Sequence, residues 1–285
     1  MSDFLLFSET NTDITAEMAK ELDVTLLPMR FIIDEQEYSN NDMPIKEFYT
    51  KLRDGKVSST SQINTVEFIE YFEPLLKEGK DILYIVFSSG LSGTYNAAVT
   101  AKDELLAKYP ERKFMLVDSL GASMGEGLVL YYAATKRKAG ESMESICAWM
   151  LENIQKFNYW FTVDDLFYLK RGGRVSTTSA IVGTMLGIKP VLHVDSEGHL
   201  VPVSKVRGRK QSLDALVKKY ETTAINPKEQ VVFISHGDAK ADVEYVANAI
   251  KKIGCKKVIT NYIGPVIGSH SGPGTIALFF LGTGR

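Results

Sequence analysis

The chain has 285 residues, 45% of them apolar and 24% charged, which is a globular composition with enough length to bury a core in one large domain or two of roughly 140 residues. A net charge of −2 and a pI near 6.1 exclude bulk nucleic-acid binding, which needs a basic footprint. Cys147 and Cys255 have neither metal nor disulfide spacing, and no run reaches the roughly 18 apolar residues of a membrane span. Residues 1–8 lack the basic start and apolar core of a signal peptide, so a cytoplasmic setting is expected.

Residues 4–7 read as a short buried strand, followed by a polar turn at 8–12 and a helix at 15–22. A strand at 25–33 contains Pro28, which suggests an edge or a bulge. Residues 44–54 read as a helix and 55–64 as a polar loop. Thr65 is expected to cap a helix reaching about Lys77, with Phe68 where a full capping box needs an acid and Glu67 still favouring the helix start. Strands at 81–87 and 113–118 each lead through a short loop into a helix, ending near 107 and 139. Three β–loop–α units in the first half predict a parallel sheet flanked by helices. The loops after Phe7, Phe87 and Asp118 then share the edge where such sheets bind ligands.

A helix at 142–156 joins the halves, and a tight junction near 157 is expected to divide the chain into units 1–157 and 158–285. The second half reads as a strand at 159–163, a short helix at 164–170 and an apolar helix at 179–187. Strands at 189–194 and 200–205 are joined by the turn at 195–199 and so are antiparallel. A helix at 209–220, a strand at 229–236, a helix at 239–253 and strands at 258–262 and 275–281 complete an α/β unit with a mixed sheet.

Five segments could carry chemistry. Ser88-Ser89-Gly90-Leu91-Ser92-Gly93-Thr94 runs from a strand into a helix, and its hydroxyls and N–H groups suit an anion. It lacks the Lys of a phosphate-binding loop and the glycine spacing of a nucleophile elbow. Ser92 as a simple helix cap is the alternative. Ser58-Ser59-Thr60-Ser61-Gln62 is ordinarily a turn and cap composition, but it can offer a second set of hydroxyls. Residues 263–274 hold His270 between two serines in a glycine–proline frame and read as a stiff loop. A Ser92–His270 pair could also serve a hydrolase, with Asp118, Asp164 or Asp165 as the acid. The basic clusters at 170–174 and 205–210 are either a solvated face or a grip for an acidic ligand or partner.

Together the segments resemble the DegV family. The residues that carry the likeness are Thr60-Ser61-Gln62, the run from Phe87 to Tyr95, Val117-Asp118-Ser119, the run from Leu169 to Val175, the run from Leu186 to Val191, Lys205-Val206-Arg207 and the run from Gly264 to Gly274. They occur in the family's order over about residues 3–283. Ile63 stands where the family often has proline, which alters the stiffness of that loop but none of its hydroxyls.

The resemblance implies a two-domain α/β protein with a ligand cleft between the domains, holding one long-chain fatty acid such as palmitate, stearate or oleate. It implies a monomeric, non-catalytic subunit of a bacterial fatty acid kinase, without cofactor or metal and with passing membrane contact. The partner kinase subunit would hold ATP and Mg and phosphorylate the carboxylate for phospholipid synthesis in a Gram-positive cell. On this likeness Thr60, Ser61, Ser92, the N–H of Gly93 and His270 would hold the carboxylate, and Arg171, Arg174 and Arg207 would face the kinase. Ile181, Val182, Met185, Leu186, Ile188, Leu128, Val129 and Tyr132 are candidate tunnel walls, each with core packing as the competing role. An anionic-ligand or regulatory module, or a Ser92/His270 hydrolase, is the alternative function.

Overall fold

A computed structural model describes residues 4–175 and 187–285. The expected helix at 179–187 falls almost wholly outside the described residues, as do Ile181, Val182, Met185 and Leu186. Four parallel strands form the first sheet: β1 (Phe4–Glu9), β2 (Thr25–Leu27), β6 (Asp81–Val86) and β7 (Phe114–Asp118), in the order β2-β1-β6-β7. Because β1, β6 and β7 are parallel, the loops that follow them emerge on one edge, as their β–loop–α spacing predicts.

The second sheet is mixed. It contains β8 (Phe157–Thr162), β9 (Ile188–Val194), β10 (Leu200–Arg207), β11 (Val231–His236), β12 (Lys257–Tyr262) and β13 (Ile276–Leu281), in the order β10-β9-β8-β13-β11-β12. Only β11 and β12 pair in parallel. The α/β class, with a parallel sheet followed by a mixed one, is therefore as expected.

A third, antiparallel sheet was not foreseen. The stretch expected as one strand at 25–33 splits after Leu27, and β3 (Arg30–Ile33) turns away to pair with β4 (Gln36–Ser39) and β5 (Ser58–Ser61). Pro28 has no N–H to continue the first ladder, which gives the break a cause. β5 corrects the expected loop at 55–64: a serine-rich run lacks strand propensity, and cross-strand pairing to the apolar β3 overrides it.

Helix α3 (Thr65–Lys77) begins one residue earlier than expected. Asn64, not Thr65, is the N-cap: its side chain accepts from Val66 N and Glu67 N, and Glu67 accepts from Asn64 N. That is a complete capping box. With Asn64 as the cap, the acidic position falls on Glu67 and not on Phe68.

Helix α5 (Met124–Lys138) lies between the two large sheets. Its Leu128, Val129 and Ala133 share one core with Leu83 and Ile85 of the first sheet and with Tyr159, Phe233 and Phe279 of the second. Gly125 lets it approach so closely: a Cβ there would lie 2.8 Å from the Phe279 ring. Helices α3 and α4 (Thr94–Lys108) cover the outer face of the first sheet, and α8 (Arg209–Thr223) and α9 (Lys240–Ile253) cover that of the second. No described helix is long and apolar enough to cross a membrane.

Candidate ligand cavity

The glycine–proline segment is not a loop. Residues Pro265–Ser271 form a short helix, α10, with Pro265 at its first turn and Gly272 at φ 75° closing it. Proline suits a first helical turn and glycine the left-handed exit, so residues that suggest a rigid loop also delimit a two-turn helix. The last turn of α10 packs on β5. Because alternate strand residues share a face, Ser58 and Thr60 both meet it: Ser58 Oγ lies 2.7 Å from Ser269 Oγ, and Thr60 Oγ1 lies 2.8 Å from His270 Nε2.

This junction borders a cavity of about 450 Å³. The polar part of its lining includes Thr60, Ser61, Gln62, Ser92, Arg174 and His270. Of these, Thr60 and His270 are hydrogen-bonded to each other, and the Ser61 hydroxyl meets Glu37. The Gln62 carboxamide packs against Gly93, where an added Cβ would lie 2.4 Å from Oε1. Arg174 Nε donates to Leu91 O at 3.0 Å. Gly172 lies so close to His270 that a Cβ there would be 2.2 Å from Nδ1. The apolar part includes Phe161, Val194, Ala277 and Phe279 from the strands of the mixed sheet, with Phe87, Leu91 and Leu169 beside them.

His270 is a partly buried, neutral imidazole. Loss of hydration, with the Arg174 and Arg171 charges nearby, pulls its pKa down to about 4. It is therefore a poor resident cation, and through Nε2 it holds Thr60. Ser92 Oγ lies 2.9 Å from Thr94 Oγ1 and accepts from Thr94 N at 3.2 Å, while Gly93 is the N-cap of α4. The N–H groups of Ser89, Gly90, Leu91 and Ser92 have internal acceptors, so the hydroxyls of this loop, rather than those amides, are what it offers to a ligand.

The three arginines part company. Arg174 lines the cavity and also donates to Gly172 O at 2.5 Å. Arg171 stacks on Tyr168, 4.9 Å from the ring centroid. Arg207 is exposed at the end of the edge strand β10. The second basic cluster is partly neutralised, since Arg209 pairs with Asp242 and Asp164.

The hydrolase arrangement is not assembled. His270 Nε2 is engaged with Thr60, and its buried Nδ1 has no hydrogen-bond partner among the described residues. Asp118 accepts from Ser89 N and Leu120 N, Asp164 pairs with Lys189, and Asp165 accepts from Phe167 N. None of these carboxylates orients the histidine.

Four expected wall residues lie elsewhere. Leu128 and Val129 are sealed in the α5 core, Tyr132 stacks on Trp149, and Ile188 pairs with Arg207 at the start of β9. None borders the cavity. The helical periodicity of α5 marks a face buried between sheets and cannot distinguish core from cavity.

Sequence reading also missed a set of buried acids. Asp13 is buried, and burial raises its carboxyl to about 8. Ser123 Oγ lies 2.5 Å from Asp13 Oδ2 and 3.0 Å from Ser235 Oγ. Ser123 donates to Asp13, and the Ser235 hydroxyl brings its own proton to the second bond. Behind it, Glu9 and Glu126 are fully buried, and burial pushes both carboxyls up. Tyr84 donates to Glu9 at 2.5 Å, and Asn11 donates to Glu126 at 3.0 Å. The first bond ties β6 to β1, and the second ties the turn after β1 to α5. Glu126 within an otherwise apolar helical turn was the available signal.

The DegV family model, described as "Uncharacterised protein, DegV family", matches residues 4–283. A DegV domain-containing protein of Clostridium perfringens is 46% identical over 286 residues, covering 99% of this chain and 98% of the relative. The solved structure of a DegV lipid binding protein from Thermotoga maritima superposes with a TM-score of 0.86 at 28% identity, covering 100% of both chains. A DegV family protein from Thermus thermophilus, solved in a study of its fatty acid binding, gives a TM-score of 0.88 at 26% identity, covering 97% of this chain and 98% of the other. The chain thus belongs to the DegV family.

Proposed function

We propose that this protein binds one long-chain fatty acid in the cavity and presents its carboxylate to a partner kinase subunit. The observation that carries the reading is the composition of the cavity wall: hydroxyl, imidazole and guanidinium groups that include the hydrogen-bonded Thr60–His270 pair, together with a larger set of aromatic and aliphatic side chains. A carboxylate leaving water must be hydrogen-bonded, whereas a hydrocarbon tail needs only apolar surface. The likeness to fatty-acid-binding DegV proteins supports the same reading.

On this proposal Thr60, Ser61, Ser92 and His270 hold the carboxylate, with the Gly93 N–H beside them and the Arg174 charge adjoining. Arg171 and Arg207 lie toward the partner, and units 1–157 and 158–285 supply the two sides of the cleft. Burying a 16-carbon tail at about 0.8 kcal/mol per methylene contributes on the order of 10 kcal/mol before the costs of binding. The tail therefore dominates affinity and the head group sets orientation. The protein carries no nucleophile of its own; ATP and Mg belong to the partner, which forms the acyl-phosphate, and the carrier works as a cytoplasmic monomer.

The test is extraction of the purified protein followed by mass spectrometry, with titration of delipidated protein by palmitate. About one equivalent of fatty acid is expected. Thr60→Ala and Ser92→Ala should each weaken binding by about 0.5–1.5 kcal/mol while the fold persists. Lipid-free extracts together with no titratable palmitate site would refute the reading.

A further inference from the structure

The turn that carries Ser92, in the first half of the chain, is held by the second half. Ser88 is fully buried and forms the base of that turn: its carbonyl accepts from Leu91 N at 3.0 Å and from Ser92 N at 3.1 Å. Its hydroxyl donates to Gly198 O at 3.0 Å and accepts from Gly90 N at 3.2 Å. Gly198 belongs to the turn at 195–199 that joins β9 to β10. The single proton of the Ser88 hydroxyl is thus spent on Gly198, and the residue does not line the cavity, so it meets no ligand itself.

The contact between the two turns is backbone against backbone. A Cβ on Gly90 would lie 2.7 Å from Glu197 O, and one on Gly198 would lie 2.2 Å from Ser88 Oγ. Only residues without a Cβ allow so close an approach. The hairpin turn is also fixed in place. Asp195 Oδ1 accepts from Glu197 N at 3.0 Å and from His199 N at 2.9 Å, Arg285 Nη1 donates to Asp195 O at 3.0 Å, and Gln155 Nε2 donates to Ser196 O at 3.0 Å. Val194 and Leu200, on either side of this turn, line the same cavity as Ser92.

We propose that Ser88 is a positioning residue for the carboxylate. Its hydroxyl is held by Gly198 and its carbonyl holds Ser92 N, so one residue carries the place of the hairpin turn to the Ser92 hydroxyl. The β9–β10 hairpin then does two things: Val194 and Leu200 wall the tail, and Gly198 sets the head-group geometry. Without the Gly198 bond the turn at 88–92 relaxes, and a hydrogen bond from Ser92 to the carboxylate weakens steeply as distance and angle depart from their optimum. The apolar wall, and with it the larger share of affinity, stays. This inference rests on the fatty-acid reading of the cavity.

The test titrates the delipidated protein and its Ser88→Ala variant with palmitate and with hexadecanol, which has the same tail and no carboxylate. Ser88→Ala is expected to weaken palmitate by about tenfold and hexadecanol by less than about twofold. The resonance of bound palmitate labelled with ¹³C at its carboxyl should also move, which a loss of stability alone would not produce. Gly198→Ala displaces the hairpin turn instead of removing the hydroxyl and should show the same pattern, so either variant that denaturant titration shows to be folded tests the link. An unchanged ratio of palmitate to hexadecanol affinity, or an unmoved carboxyl resonance, in a folded variant would overturn the inference and leave fatty-acid binding intact. Failure of palmitate to bind the unaltered protein would instead overturn the fatty-acid reading and this inference with it.

Discussion

Replacing Gly172 by alanine probes the contact that sets His270. Gly172 has φ −74° and ψ −6°, so alanine adopts its backbone without strain and the effect comes from the added methyl alone. That methyl would lie 2.2 Å from His270 Nδ1, whereas ordinary contact begins at 3.4 Å, so the ring must retreat by 1.2 Å (3.4 minus 2.2). The Thr60–His270 bond at 2.8 Å does not survive such a movement along its axis. Overpacking should cost about 1–3 kcal/mol of stability. Loss of the bond should weaken fatty-acid binding by up to roughly tenfold. Gly173→Ala is the control: its φ is 72° and no atom of the described residues lies within 4 Å of the added methyl, so it should lose about 1–2 kcal/mol of stability through backbone strain and leave affinity unchanged. Denaturant titration gives the stabilities, and long-range ¹H–¹⁵N spectra report the imidazole. Unchanged affinity and unchanged His270 resonances in Gly172→Ala would refute the argument.

Acidification should expose His270. Its folded pKa near 4 is below the ordinary 6.5, so stability is full above pH 6.5 and falls as pH drops toward 4, by on the order of 3 kcal/mol; His270→Gln should flatten that fall in urea titrations, and identical profiles would count against a partly buried, neutral ring. Asp13 acts in the opposite sense. Its pKa is raised from 3.8 to about 8, so its contribution is full below pH 3.8 and is lost as pH rises toward 8, by on the order of 5 kcal/mol. Asp13→Asn should therefore gain stability relative to the parent between pH 6 and 8, and a parallel pH dependence of the two proteins would disprove it. Asn64→Ala should cost about 1 kcal/mol by removing the cap of α3, read from the midpoint of denaturation; a loss below 0.3 kcal/mol, taken as the threshold for roughly no effect, would deny the capping box a stabilising role.

Much of the fold was legible because its signals are local. The β–loop–α runs after β1, β6 and β7, the antiparallel hairpin of β9 and β10 and the amphipathic α9 follow from apolar periodicity and turn residues within a few positions. The same applies to the hydroxyl clusters and to His270, since clustered small polar residues beside glycine are visible without a structure. Non-local determinants were not. β5 is a strand because β3 lies beside it, and the residues of the polar loop it replaces have no strand propensity of their own. Leu128 and Val129 belong to the core because two sheets close on α5, which a helical period cannot foretell.

By itself the sequence determined the α/β class, the order of most elements and which hydroxyls and histidine were available, because backbone preference and apolar spacing act over short range. Only the tertiary structure decided which of them meet: Thr60 and His270, 210 positions apart in the chain, at 2.8 Å, with Arg174 at the cavity and Arg207 away from it. Those placements depend on how sheets and helices pack across the whole chain, and close packing couples residues that sequence distance keeps apart.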